Sequence, residues 1–149
     1  MSRHKKVTPH ASTMRQLVQV AKAIGHPARL RILAMLDGRA LCVCQMTSVL
    51  ELASSTVSGH LNELRRSGLV IEDKQGKLVF YRLDANSPFA GLVSDTLAIA
   101  NHDGVIAQDR ALIDRVRAVP IDVLTRAGLK LNLVGIKRPA LRPAPAVRA

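Results

Sequence analysis

Cys42-Val43-Cys44 holds the only two thiols in a chain of 149 residues. Thiolates are soft donors that select thiophilic ions, and they are also the groups that form disulfides. On a regular helix, residues i and i+2 point roughly 200° apart, so two thiols at that spacing diverge. They converge if Cys42 is the extended residue before a helix and Cys44 stands in its first turn. The positive end of the helix dipole then also favours the ligating thiolate form. Three fates are open to the pair: metal ligands, a redox couple, or small apolar residues beside the core. A disulfide between i and i+2 would close a small strained ring and be readily reduced.

The elements around the pair form a definite order. Apolar residues recur at Met14, Leu17, Val18, Ala21 and Ile24, which is helical spacing closed by Gly25. His26-Pro27 opens a second helix, and Asp37-Gly38 stops it. A short helix is predicted over about Val43–Leu50, followed by a tight turn at Glu51-Leu52-Ala53. Ser54 or its neighbour caps a third helix running to about Ser67, with Gly68 as its stop. On it Val57, Leu61 and Leu64 fall on one face. Ser55, Ser58, Gly59, Asn62, Arg65 and Arg66 face outward, a small and finally basic surface suited to a DNA groove. Strands over 69–73 and 78–83 are joined by Lys74-Gln75-Gly76-Lys77, with Gly76 supplying the positive φ of a hairpin. A hairpin directly after a helix–turn–helix is a wing, and two lysines at its tip suit phosphates. Helical pattern resumes from Ser87, is interrupted near Gly104, continues over 105–119 and adds a turn or two over 121–127. The fold class is therefore mainly α with a β-hairpin wing, a winged helix–turn–helix. Residues 1–12 read as a disordered basic arm, 13–128 as the folded domain with dimerisation helices, and 129–149 as a basic Pro/Ala-rich tail.

Composition agrees with this reading. Net charge is +11 and aromatic content only 2%, so the core must be aliphatic. The excess positive charge lies in the flanks: residues 1–36 and 123–149 contain no acid, whereas 37–122 has nine basic residues against all eleven acids. Basic flanks suit a polyanion, although a solvated basic face is the plainer account. No apolar run reaches membrane-spanning length, and no signal segment opens the chain, so a cytoplasmic protein is expected. No phosphate-binding glycine loop, paired carboxylates or Ser/His/Asp set is evident, so no enzyme is expected.

In this order and spacing, AIGHPARLRILAML, ALCVCQM, SSTVSGHLNELRRSGLV and KQGKLVFYRLD resemble the ArsR/SmtB family of metal- and metalloid-responsive repressors, arsenic-responsive type. The resemblance is strongest over Gly25–Leu83 and does not cover residues 1–12 or the region beyond about 100. It implies a homodimer on double-stranded operator DNA, with metal ligands Cys42 and Cys44 and no organic cofactor. It also implies DNA contacts from Ser54, Ser55, Thr56, Ser58, Asn62, Arg65, Arg66, Lys74, Lys77 and Arg82. The implied inducer is As(III) or Sb(III), with Cd(II) or Pb(II) as alternatives if His4 or His10 reaches across a dimer. Departures from the family pattern are Ala40, where Glu is common, Ser54 in place of Gln and Gly59 in place of His. The last two remove side chains that could reach base edges, shifting weight to Ser55, Ser58, Asn62, Arg65 or to DNA shape. A third Cys is absent and Thr47 stands where it would be; a pyramidal As(III) then needs water, a small thiol or a group of the N-terminal arm. His26 and His60 read as structural, His60 also as a phosphate contact. His102-Asp103 resembles half of a zinc site whose other histidines are missing. The competing functions are a thiol redox-sensing DNA-binding regulator and a nonspecific basic DNA binder.

Overall fold

A computed structural model describes residues 13–140. The expected basic arm 1–12, with His4 and His10, and the end of the tail, 141–149, lie outside them. The elements run α1 (Thr13–Ile24), α2 (Pro27–Leu36), β1 (Leu41–Cys42), α3 (Val43–Leu50), α4 (Ser54–Arg66), β2 (Val70–Gln75), β3 (Leu78–Leu83), α5 (Ala90–Ala100), α6 (Gly104–Val116) and α7 (Ile121–Arg126). A 3₁₀ turn over Leu131–Val134 follows. The result is a winged helix–turn–helix: α3, a turn and α4, then the β2–β3 hairpin. Among the described residues no helix is long and apolar enough to cross a membrane.

The core is aliphatic, as the scarcity of aromatic residues requires. Ile32, Leu33 and Met35 of α2 are fully buried with Met46 and Val49 of α3 and Val57, Leu61 and Leu64 of α4. These last three are the i, i+4, i+7 set of the recognition helix, and their burial leaves its other side to solvent. Ile113, Val116 and Leu124 close the core from α6 and α7.

The end of α4 and the hairpin tip each use a glycine at positive φ. Gly68 (φ +73°) ends α4, and Gly76 (φ +62°) is the first of two residues between paired Gln75 and Leu78. A hairpin turn positive only at its first central residue has the II′ pattern, for which glycine is suited. The turn between α3 and α4 instead uses Glu51 in the left-handed region at φ 57°. Its N–H donates to the Thr47 carbonyl, closing the end of α3.

The sheet has three strands rather than the two of the hairpin alone. Leu41 pairs with Tyr81 and Cys42 with Phe80, antiparallel, giving the order β1-β3-β2. The segment grouped with the tail on sequence packs against the domain as far as it is described. Leu131 and Ile136 are buried. Gln108 of α6 donates to the Pro139 carbonyl at 2.8 Å. Arg138 reaches α3, donating to the Ser48 carbonyl and lying 3.3 Å from a Glu51 carboxylate oxygen. The expected cap of α4 also differs: Ala53 is the N-cap residue, and no side chain caps the helix.

Candidate thiol site and nucleic-acid interface

The two cysteines meet because backbone changes conformation between them. Cys42 is extended (φ −84°, ψ 165°) as the last residue of β1 and the N-cap of α3, while Cys44 lies in the first helical turn. Their Cα atoms are 5.5 Å apart and their sulfurs are joined as a disulfide. Cys42 is 3% exposed; Cys44 is half-buried. The Cys42 N–H donates to the side-chain carbonyl of Gln45 at 3.0 Å, one arm of a capping box. Gln45 was not singled out on sequence, although a Gln three residues after an N-cap is the signal that marks it.

The donor set tests which ion the pair can hold. Among the described residues no three His, Cys, Asp or Glu side chains gather into a metal-binding group. Reduced to thiolates, the two neighbouring sulfurs would fit a thiophilic ion whose remaining position is filled from elsewhere; two donors do not make the four-ligand environment of structural zinc. Thr47, at the place of a third thiol, is 7% exposed and its hydroxyl has no hydrogen-bond partner among the described residues. His102 is exposed. Asp103 spends its carboxylate on the N–H groups of Val105 and Ile106, capping α6. His26 likewise is a cap, its Nδ1 accepting from the Ala28 N–H at 3.1 Å. The His26 and His60 rings lie 4.5 Å apart, and the His60 pKa is pushed down by burial first and then by His26 and Arg29.

The polar face of α4 is assembled as follows. Ser54, Ser55, Thr56 and Ser58 are exposed along one side, with Gly59 leaving the backbone open. Asn62 is half-buried and accepts from Arg65 Nη2 at 2.8 Å. Arg65 Nε also lies 3.5 Å from Glu72 on β2, so this guanidinium is oriented between helix and wing. Glu72 in turn accepts from the Tyr81 hydroxyl, whose pKa is raised by burial and by that carboxylate. Arg66 is exposed and pairs loosely with Glu63 at 3.8 Å. Lys74 and Lys77 are exposed at the hairpin tip. Arg82 is the residue not brought to this surface. It sits four positions from Leu78 along β3, about 13 Å from the tip, and lines a cavity between α2, β3 and α5.

The comparisons fall on the same elements. The family pattern described as "Bacterial regulatory protein, arsR family" matches residues 26–72. The arsenical resistance operon repressor of Escherichia coli is 39% identical over 72 residues, 48% of this chain and 62% of that protein. The CadC homolog of Staphylococcus aureus, a cadmium resistance regulator by name, is 37% identical over 70 residues, 46% of this chain and 57% of that one. The chain thus spans less than two thirds of these curated relatives. HlyU from Vibrio cholerae, by name a transcriptional activator, superimposes with a TM-score of 0.52 at 34% identity, over 62% of this chain and 95% of its own. HlyU is also solved in a form described as reduced. These relatives are transcriptional regulators, not enzymes, and the match in sequence and in fold places the chain in the ArsR family of bacterial regulatory proteins.

Proposed function

We propose that the protein is a cytoplasmic transcriptional repressor that binds operator DNA as a homodimer and releases it when As(III) or Sb(III) binds Cys42 and Cys44. The observation that carries this reading is the meeting of the two sulfurs at the first turn of α3, the helix that packs on α4. Ser54, Ser55, Thr56, Ser58 and Asn62 enter the major groove, while Arg65, Arg66, Lys74 and Lys77 hold phosphates. Arg82, set apart from that surface, is left out of the contact set. The exposed apolar side chains of α1 and α5, among them Met14, Leu17, Leu92 and Ile99, offer a face for the second copy.

Once an external thiol has reduced the disulfide, Cys42 and Cys44 would hold the ion as thiolates, a clamp tying the end of β1 to the start of α3. The chain's own part is to transmit it. Cys42 is hydrogen-bonded to Gln45, so a change in its backbone alters the first turn of α3. That helix carries the turn into α4, and a shift there misaligns the two half-sites. A coupling of about 1–3 kcal/mol would weaken DNA binding 5–150-fold. Relatives named for arsenic and for cadmium both match, so Cd(II) and Pb(II) belong in the same test.

A second reading, a dithiol–disulfide switch, is favoured by the bonded state of the sulfurs. One experiment separates the two. Binding to a duplex selected from a random pool is titrated with As(III), Sb(III), Cd(II), Pb(II) and Zn(II) under reducing conditions, then with a mild oxidant. Release by a thiophilic ion in reductant supports the metalloid sensor. Release only by oxidation, reversed by reductant, replaces it with the redox switch. Release by neither leaves a DNA binder whose thiols do not signal.

A further inference from the structure

We propose that residues 128–138, which lie beyond the stretch matched by the family pattern, form a second phosphate-binding surface at the N-terminal end of α4, taking backbone phosphates of duplex DNA. The inference rests on reading α4 as the DNA-contacting helix and extends that reading to a part of the chain that it did not include.

A cavity of about 720 Å³ separates this segment from the turn between α3 and α4. Lys130, Lys137 and Arg138 line one side of it; Thr47 and Ser54 line the other. Three cations thus stand against the opening of a 13-residue helix whose N-cap, Ala53, has no side chain to offer. The first N–H groups of such a helix lack internal partners, and their aligned dipoles favour an anion. Thr47 adds an independent sign of an absent acceptor: its buried hydroxyl has no hydrogen-bond partner among the described residues. Glu51, the one carboxylate lining the cavity, is already engaged by Arg138. That contact fixes the segment on α3 and leaves the two lysines as the net charge of the site.

The occupant follows from exposure and placement. Lys130, Lys137 and Ser54 are all exposed, so the site is open to a phosphate that belongs to a polymer. The wing tip follows the C-terminal end of α4, which is about 20 Å long. Lys74 and Lys77 belong to the hairpin that leaves the C-terminal end of α4, and Lys130 and Lys137 line the cavity at its N-terminal end. Paired cations at both ends of a groove-binding helix match the phosphates on either side of the groove.

The test uses the full chain carrying Lys130→Ala and Lys137→Ala together, with Arg65→Ala for comparison. Affinity for the selected duplex and for an unrelated duplex of equal length is measured by fluorescence anisotropy across a salt series, and folding is checked by thermal melting. The double variant is expected to keep its melting midpoint and to lose at least about tenfold in affinity on both duplexes alike. Its log–log salt slope should be shallower by about 0.9 for each phosphate no longer neutralised. Unchanged affinity and slope, with Arg65→Ala weakened, would overturn this surface while leaving α4 as the reading helix. No binding of either duplex by the unaltered protein would overturn both. Inorganic phosphate is titrated separately by NMR. Saturable phosphate binding that disappears in the double variant, with DNA affinity untouched, would reassign the site to a free anion and overturn the proposal.

Discussion

Arg31 grips both carboxylate oxygens of Asp109, Nε at 2.6 Å and Nη2 at 2.9 Å, across 78 residues of chain. Asp109 is 2% exposed, and the pairing ties α2 to α6. The guanidinium is the partly solvated partner, and its pKa is raised by the hydrogen bond to Asp109 against the opposing effect of burial. Removing Arg31 strands a buried carboxylate, the costly way to break such a pair. Arg31→Met should lower unfolding free energy by about 2–4 kcal/mol in urea titration. Arg31→Met combined with Asp109→Leu should recover much of that loss. Additive losses in the double variant would show that the two side chains are not coupled.

Cys42→Ser and Cys44→Ser should each bind the selected duplex as tightly as the unaltered chain yet fail to release it with As(III). Anisotropy in reductant reads both properties at once. Release that persists in both variants removes the thiols from the sensing role. Because Cys42 is the more buried and ends β1, its variant should also be the less stable, by up to about 1 kcal/mol.

Ile99 is 77% exposed and Met14 80%, large apolar surfaces on α5 and α1 that an isolated protomer would leave in water. The protein should sediment at twice its chain mass, and Ile99→Glu should shift it toward a single chain and weaken duplex binding at least about tenfold, since half-sites are no longer joined. A dimer unaffected by both Ile99→Glu and Leu17→Glu would place the interface elsewhere.

His60 provides a pH dependence of known sign. Its pKa in the fold lies below the ordinary 6.5, through burial and the neighbouring His26 and Arg29. The unfolded chain therefore takes up the proton more readily, and stability falls as pH drops through the ordinary value toward the lowered one. The urea midpoint should decrease between about pH 7.5 and pH 5.5, and His60→Asn should flatten that slope. Equal slopes in the two proteins would exclude His60 as the cause.

Much of this architecture is written in local pattern. The spacing of Val57, Leu61 and Leu64 gives the buried face of α4, and Gly68 and Gly76 mark the positive-φ turns at the end of α4 and at the hairpin tip. The convergence of Cys42 and Cys44 follows from placing one in extended chain and the other in a first turn. Other features have no local signature. A strand of two residues carries no alternation, so β1 is invisible until β3 lies beside it. The Arg31–Asp109 pair joins positions that no sequence window holds together. Arg138 opens the Pro-, Ala- and Arg-rich run whose composition suggests a solvated tail, whereas Leu131 and Ile136 belong to the apolar run just before it; what fixes this segment is the surface of α3 and α6. Ala53, the neighbour of Ser54, is the N-cap residue of α4, and it has no side chain that could cap the helix.

Because Leu41 and Cys42 are laddered to Tyr81 and Phe80, the sulfurs sit at a fork. One branch runs along the chain into α3; the other crosses the sheet to the middle of the hairpin, opposite Glu72 and Asp73. If the thiols sense as proposed, a message starting there can arrive twice, by covalent and by non-covalent roads, so severing a single road should dull the reply without silencing it.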